Sequence, residues 1–304
     1  MIRSLFSAVS GLISHQTAMD VVGNNIANVD TYGFKASTAE FGEAFIQNAR
    51  EATTSQPIGE EIGLGTRITG TTTDFSQGAF KTTSVPSDVG ISGDGFFTVN
   101  TASTASAGST VYTRAGDFVV DINGNLRTAD GYYVQGVTGT GTNNGFSSTL
   151  GSTYTAISTP SAAVPQASLS NVKIPTSVYD TTTGTTLSVS SYSIASNGAV
   201  SVVDSAGNST VAGYMVLASV GNNNGLSSGG QGYYSTTAAS GQASFYAPST
   251  GNVGATEAGS LEISNADVAT QFSDMIIIQR GYDANAKVIT TSSQMLQTAV
   301  NMIQ

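Results

Sequence analysis

The stretch VATQFSDMIIIQRGYDANAKVITTSSQMLQTAVNMIQ, residues 268–304, decides the fold. Within it Val268, Phe272, Met275, Gln279, Tyr282, Ala286, Ile289, Ser293, Leu296, Val300 and Ile303 are separated alternately by four and three residues. That alternation is the a/d seam of a heptad helix, and so long a run in register is hard to assign to chance. With Asn265 as candidate N-cap, the helix would span about 38 residues, or about 57 Å at 1.5 Å per residue. Gly281 is the weak point of its interior. A helix of this length exceeds an ordinary globular core, so its apolar seam needs a partner.

The other end of the chain supplies one. Leu5, Val9, Leu12, Gln16, Met19, Gly23 and Ile26 repeat the alternation, with Ser4 as N-cap and Asn28 to Gly33 as the stop. All six prolines lie from Pro57 to Pro248, leaving both ends free of the strongest helix breaker. The expected fold is mixed: long coiled-coil-forming α-helices at both termini, paired with each other and with copies of themselves, around a mainly-β middle. In this reading residues 1–35 are an N-terminal helix that forms an inner domain with 264–304. Residues 36–73 are an extended connector, 74–259 a β-rich middle, and 260–304 the C-terminal helical segment.

Between the ends the period falls to two. Asp88 to Ser92 and Phe96 to Val99 flank Gly93-Asp94-Gly95, which reads as a hairpin. Phe118 to Ile122 and Leu126 flank Asn123-Gly124, and Leu187 to Ala195 and Val200 to Val203 flank Asn197-Gly198. Both Asn-Gly pairs predict type I′ turns, which need two successive residues at positive φ. Val211 to Val220 is a further strand. Gly139 to Thr186, dominated by Ser, Thr, Gly and Ala, reads as a loosely built, exposed insertion or a run of short strands with a thin core, whose removal would cost little stability.

Composition narrows the function. The 304 residues carry 20 acidic against 10 basic side chains, a net charge of −10, so no basic patch is available for nucleic acid. Without cysteine there is no disulfide, thiolate nucleophile or thiolate metal ligand. The longest aliphatic run, Met275 to Ile278, falls far short of a membrane span, so no membrane insertion is expected. Met1 to Val22 lacks the continuous apolar region of a secretory signal, so any export would proceed without signal cleavage. His15 is the only imidazole and has no carboxylate at helical spacing on its N-terminal side, which suits packing rather than catalysis. Asp121 to Asn125 opens like a calcium loop, but Gly124 falls too early and the twelfth position is Tyr132 rather than Glu. No enzyme activity, catalytic residue, cofactor or metal is expected.

The remaining motifs resemble a known family. Met1 to Leu12, then Met19 to Asn28 with Asn24, Asn25 and Asn28, then Thr31-Tyr32-Gly33-Phe34-Lys35, are similar to the N-terminus of bacterial flagellar hook and rod proteins. Thr73 to Gly78, Ile91 to Val99, Thr113 to Phe118 and Gly259 to Asn265 add to the resemblance. Gln271 to Ile276, Gln279 to Tyr282 and Asn285 to Thr291 look most like the hook member.

The resemblance implies a structural subunit exported unfolded by the flagellar type III apparatus and polymerised, outside the cell, into a helical tube. Its implied partners are copies of itself and the distal rod, hook-cap and hook–filament junction proteins. The terminal helices would line the channel, with the β domains outside. A hook would act as a flexible universal joint carrying torque from motor to filament. The alternative within the family is the distal rod, a straight driveshaft, with the difference placed in residues 36–73 and the outer domain; a β-rich adhesin is a more remote reading. The expected assembly interface is the pair of seams: Leu5, Val9, Leu12, Met19 and Ile26, with Val268, Phe272, Met275, Tyr282, Ala286, Ile289, Leu296, Val300 and Ile303. Ser292, beside the seam but out of register, is the expected tolerant position.

Overall fold

The computed structural model describes residues 2–50, 60–102, 110–138, 164–180 and 185–302. The chain forms two compact units, the first made of Met1–Val29, Lys35–Phe75 and Ala266–Gln304, the second of Asp30–Phe34 and Ser76–Asn265. Terminal helices and a mainly-β middle are both present.

Unit 1 is built on α1 (Ile2–Ala27) and α2 (Val268–Asn301). Ser4 lies inside the first turn of α1 instead of capping it. The cap of α2 is Asp267, not Asn265: its carboxylate accepts from the Ala269 N–H at 2.9 Å and the Thr270 hydroxyl at 3.3 Å. Asn265 is engaged elsewhere, donating through Nδ2 to the Ser76 carbonyl and hydroxyl. The helix is therefore 34 residues long and shorter than the sequence suggests.

The two helices run antiparallel. Asn25 meets Gln271, His15 lies beside Gly281, and Gly11 lies beside Asn285, a constant offset in opposite chain directions. The row that α1 buries is Ala8, Gly11, Ser14, Ala18, Val22 and Asn25. Its steps of three and four follow one helix face, displaced by one residue from the expected seam at every position except Ser14. The cause is close approach. A Cβ on Gly281 would sit 2.5 Å from the His15 ring, and one on Gly11 would sit 2.8 Å from Asn285 Nδ2. Side chains of the facing helix seated this closely on the two glycines leave no room for a large side chain at either position, and small and polar residues make up the buried row. The fully buried row of α1 is thus not the expected row of large apolar residues. Gly281 leaves room for the His15 ring, and Ser292, expected as a tolerant position, is buried at 2% exposure.

Within residues 36–73, expected as an extended connector, the described residues form a ribbon. β1 (Ser37–Glu43) pairs antiparallel with β4 (Thr66–Thr73), with a register shift at Glu40/Phe41, and β2 (Ile46–Arg50) pairs with β3 (Glu60–Gly63). The ribbon is fastened to α1. The Thr66 N–H donates to Ser10 Oγ and the Ser14 hydroxyl donates to the Thr66 carbonyl, both at 3.3 Å. Ser37-Thr38-Ala39-Glu40 has little apolar character, so its period of two acquires meaning only beside a helix that covers one side.

Unit 2 has a main strand path of 177–180, 185–194, 199–204, 209–215, 133–138, 96–100, 110–113, 233–235 and 227–230. Phe96–Asn100 is buried throughout and pairs with Thr110–Thr113, with Tyr133 and Val134, and with Leu217 and Ala218. Phe97 meets Phe118 edge-on, ring centres 5.0 Å apart, in a core shared with Ile91, Leu126, Val200 and Met215.

Three sequence expectations change here. The strands around Gly93-Asp94-Gly95 do not pair with each other; Val89–Ser92 pairs with Ala255–Ala258, so the Gly pair turns a corner instead of closing a hairpin. At Asn123-Gly124 and Asn197-Gly198 only the glycine has positive φ, +79° and +77°. Gly124 N–H bonds Asp121 O and Asp121 N–H bonds Asn125 O, which is a type I turn closed by a left-handed bulge residue rather than type I′. The Thr128–Tyr132 and Asp204–Asn208 turns repeat it.

The third change concerns the insertion. Residues 139–163 lie outside the described residues, but Val164, Leu169, Val172 and Ile174 are buried. Val172 N–H donates to Val134 O, and Val172 O accepts from Leu126 N–H. This part belongs to the core, so deletion of 139–186 is expected to remove the cooperative thermal transition of unit 2. Ile174→Ala alone should cost about 2 kcal/mol by transfer and cavity terms, read as a lowered melting temperature.

A carboxylate cluster sets a pH dependence in the same unit. Burial, and then the neighbouring charges of Asp88 and Asp130, raise the Asp117 carboxyl above its usual range despite a backbone hydrogen bond that opposes them. The folded state therefore holds the proton more tightly than the unfolded chain. This group's contribution declines as pH rises from the ordinary carboxylate value through the raised one. Asp117→Asn is expected to raise the melting temperature at pH 7 and to leave it nearly unchanged at pH 3.

Candidate assembly site

Asn25, buried at 1%, joins three elements of unit 1. Its Nδ2 donates to Ser37 O at 2.7 Å and to Gln271 Oε1 at 2.9 Å, while its Oδ1 accepts from Ser37 N–H at 3.0 Å. An amide offers donor and acceptor from one short side chain, and both are used. Asn28 closes α1, donating through Nδ2 to Asn24 O and Oδ1 at 2.9 and 3.0 Å.

Unit 2 has its own buried hub. The Arg114 guanidinium and Glu262 carboxylate pair at 3.2 Å, with side-chain exposures of 3% and 0%. Glu262 Oε1 accepts from Gly78 N–H, its carbonyl accepts from Gly33 N–H, and Arg114 also donates to Gly93 O at 2.9 Å. Gly33 is at φ +66°, and a Cβ there would lie 2.4 Å from Ala115 N, so no other residue fits. The three segments of unit 2 that continue covalently into unit 1 are thus tied together within unit 2.

None of the described seam residues is fully buried. Val9, Val268, Phe272, Leu296 and Val300 are exposed, and Leu5, Leu12, Met19, Ile26, Met275, Tyr282, Ala286 and Ile289 are half-buried. Ile303 lies outside the described residues. Of the motif residues, Asn25, Gly33 and Lys35 are buried, Asn28 and Phe34 half-buried, and Asn24 exposed. Among the described residues, every exposed large apolar side chain except Val85, Val119 and Ile122 belongs to unit 1. What the sequence reading missed is the small row Ala8, Gly11, Ser14 and Ala18, visible as small residues three and four apart, and the Arg114–Glu262 pair, for which the sequence holds no signal.

His15 packs its ring against Phe41, centres 5.3 Å apart. No helix among the described residues is long and apolar enough to cross a membrane.

Three family profiles match in chain order: "Flagella basal body rod protein" over residues 5–35, "Flagellar hook protein FlgE/F/G D1 domain" over 90–202, and "Flagellar basal body rod FlgEFG protein C-terminal" over 257–302. The flagellar basal-body rod protein FlgG of Bacillus subtilis is 36% identical over 308 residues, 99% of each chain. The chain belongs to the flagellar hook and rod protein family. It is a structural component of the flagellar basal body, rod and hook group, which is not an enzyme family, and such membership implies self-polymerisation with flagellar partners.

The expected preference for the hook member is not supported. The flagellar hook protein FlgE of Salmonella typhimurium is 29% identical, and its alignment needs 417 positions to cover 98% of this chain and 100% of that one. The FlgE of Helicobacter mustelae is 46% identical, but over 143 residues, 45% of this chain and 31% of that one. Motifs shared by both branches do not separate them.

Proposed function

We propose that this chain is a distal rod subunit of the flagellar basal body, polymerised into a stiff tube that transmits torque and encloses the export channel. The observation that carries this reading is the end-to-end match to a rod protein at equal length, where the hook match leaves more than a hundred positions without a counterpart. The ribbon supports it. In the segment in which the resemblance places the hook–rod difference, the described strands are hydrogen-bonded in pairs and fastened to α1 at Ser10, Ser14 and Asn25, a construction that resists bending. Its partners in this reading are copies of itself and neighbouring rod and hook subunits, reached through the flagellar export apparatus without a cleaved signal. The exposed seam residues are the surfaces those copies would cover.

Electron microscopy of polymers grown from purified full-length protein tests the assignment. Straight tubes over their whole length are expected. Tubes of uniform curvature would return the chain to the hook branch.

A further inference from the structure

Four Asn-Gly pairs occur in the sequence, and three lie among the described residues: Asn123-Gly124, Asn197-Gly198 and Asn224-Gly225. A glycine after asparagine has no side chain to shield its nitrogen, which can therefore attack the asparagine side-chain carbonyl carbon and close a five-membered ring. The three pairs share one backbone arrangement. Each glycine N–H donates to the carbonyl three residues earlier: Gly124 to Asp121 at 2.8 Å, Gly198 to Ala195 at 2.9 Å, and Gly225 to Asn222 at 3.2 Å. A nitrogen held in this way must be released before it can react, so the cost of opening each turn decides which pair does.

Two of the turns are pinned to the core of unit 2. Gly124 O accepts from Ile174 N–H at 2.7 Å and Gly198 O from Met215 N–H at 2.8 Å, and both donors belong to core residues. Asn197 is held by its side chain as well, its Oδ1 accepting from Ala199 N–H at 3.1 Å. The third turn stands outside that core. No residue from Gly221 to Gly232 is buried, and Ser227–Gly230, the strand that follows, is exposed at every position and ends the main strand path. The Gly225 carbonyl is held by a side chain, accepting from the hydroxyl of exposed Thr237 at 2.6 Å. Asn224 is exposed; its N–H donates to Asn222 Oδ1, and its side chain has no partner among the described residues. Surface segments with so little buried contact open at a small fraction of the global unfolding free energy.

We infer that Asn224 is a site of spontaneous deamidation in the folded protein, while the core protects Asn123 and Asn197. The Gly225 nitrogen gives its proton to solvent base and bonds to Asn224 Cγ; the Cγ–Nδ2 bond breaks, and ammonia leaves a succinimide. Water then opens the ring at either carbonyl. Attack at Cγ gives aspartate, and attack at the main-chain carbonyl gives isoaspartate, in which the chain runs through the former side chain. Either product has exchanged an amide for a carboxylate and gained one negative charge. The isoaspartate also puts an extra carbon into the main chain at a crowded point, since a Cβ on Gly225 would lie 2.5 Å from Ser240 N. The bonds from Thr237 Oγ1 to Gly225 O and from Asn222 Nδ2 to Ala239 O should then be lost. The inference is independent of whether the chain is a rod or a hook subunit.

Peptide mapping by mass spectrometry tests it on the purified full-length protein, incubated in mildly alkaline buffer with and without denaturing urea. In the folded sample the Asn224 peptide should accumulate aspartate and isoaspartate at least about tenfold faster than the Asn123 and Asn197 peptides. In urea the three should react at comparable rates, because what separates them is the fold. Asn224→Gln, whose longer side chain would have to close a less favourable six-membered ring, should abolish the signal at this position and keep the wild-type melting transition. Equal rates at the three sites in the folded protein would overturn the inference. So would an Asn224 that stays intact there after the urea sample has reacted. The same order of rates in urea would assign the difference to neighbouring sequence and reject the role given to the core.

Discussion

Replacing Asn25 by Asp is expected to detach the ribbon and α2 from α1 and to abolish polymer formation, while leaving unit 2 folded. The carboxylate keeps the bond from Ser37 N–H but loses both donated bonds, and it faces the Ser37 carbonyl across the 2.7 Å that the amide N–H now fills. Gln271 can turn its amide to donate; a backbone carbonyl cannot. In a site with 1% exposure the new group either stays charged at a cost of several kcal/mol or takes up a proton at pH 7. Asn25→Ala removes the group altogether and strands the Ser37 N–H and carbonyl, at about 2–4 kcal/mol. Hydrogen exchange should show faster exchange in α1 and β1 for both variants, with the strands of unit 2 protected as in the wild type. Wild-type protection of α1 in Asn25→Asp would show that this hub does not hold unit 1 together.

Glu262→Ala should produce the largest loss of stability in unit 2. It strands the buried guanidinium of Arg114 and the Gly78 N–H together, and breaking one side of a buried pair costs about 3–5 kcal/mol. At roughly 2–4 °C per kcal/mol for a unit of this size, the melting temperature falls by about 10 °C. Glu262→Gln retains an acceptor for Gly78 and should lose less. Arg114→Lys should not restore the wild type, because an ammonium cannot reach both Glu262 and Gly93 O in the planar geometry of the guanidinium. Changing both partners to Met removes the stranded charge, so the double variant should be more stable than the sum of the singles by about 1–3 kcal/mol. Strict additivity would mean that the two side chains do not depend on each other.

The helices, the change of period in the middle and the glycine-closed turns are properties of local sequence. Apolar spacing, proline placement and Asn-Gly pairs act over a few residues, so they are legible without a fold. The family is legible for the same reason, since its motifs are short and lie near both ends. What could not be read is which row of a helix faces inward. α1 has one row of Leu, Val, Met and Ile and, one residue away, a row of Ala, Gly and Ser. Hydrophobicity selects the first, whereas the close approach allowed by Gly11 and Gly281 selects the second. That choice depends on the distance between two segments more than 250 positions apart, and no window of sequence contains it.

The same limit explains the core role of Val172 and Ile174, two apolar residues in a polar stretch, and the ribbon at 37–73, whose alternation matters only against α1. It also explains the Arg114–Glu262 pair, in which each charge alone would be placed at the surface and only the fold brings them 3.2 Å apart. The sequence by itself determined the two terminal helices, the β-rich middle and the family. The tertiary structure decided which faces are buried and which are exposed, because burial depends on how closely distant parts of the chain approach.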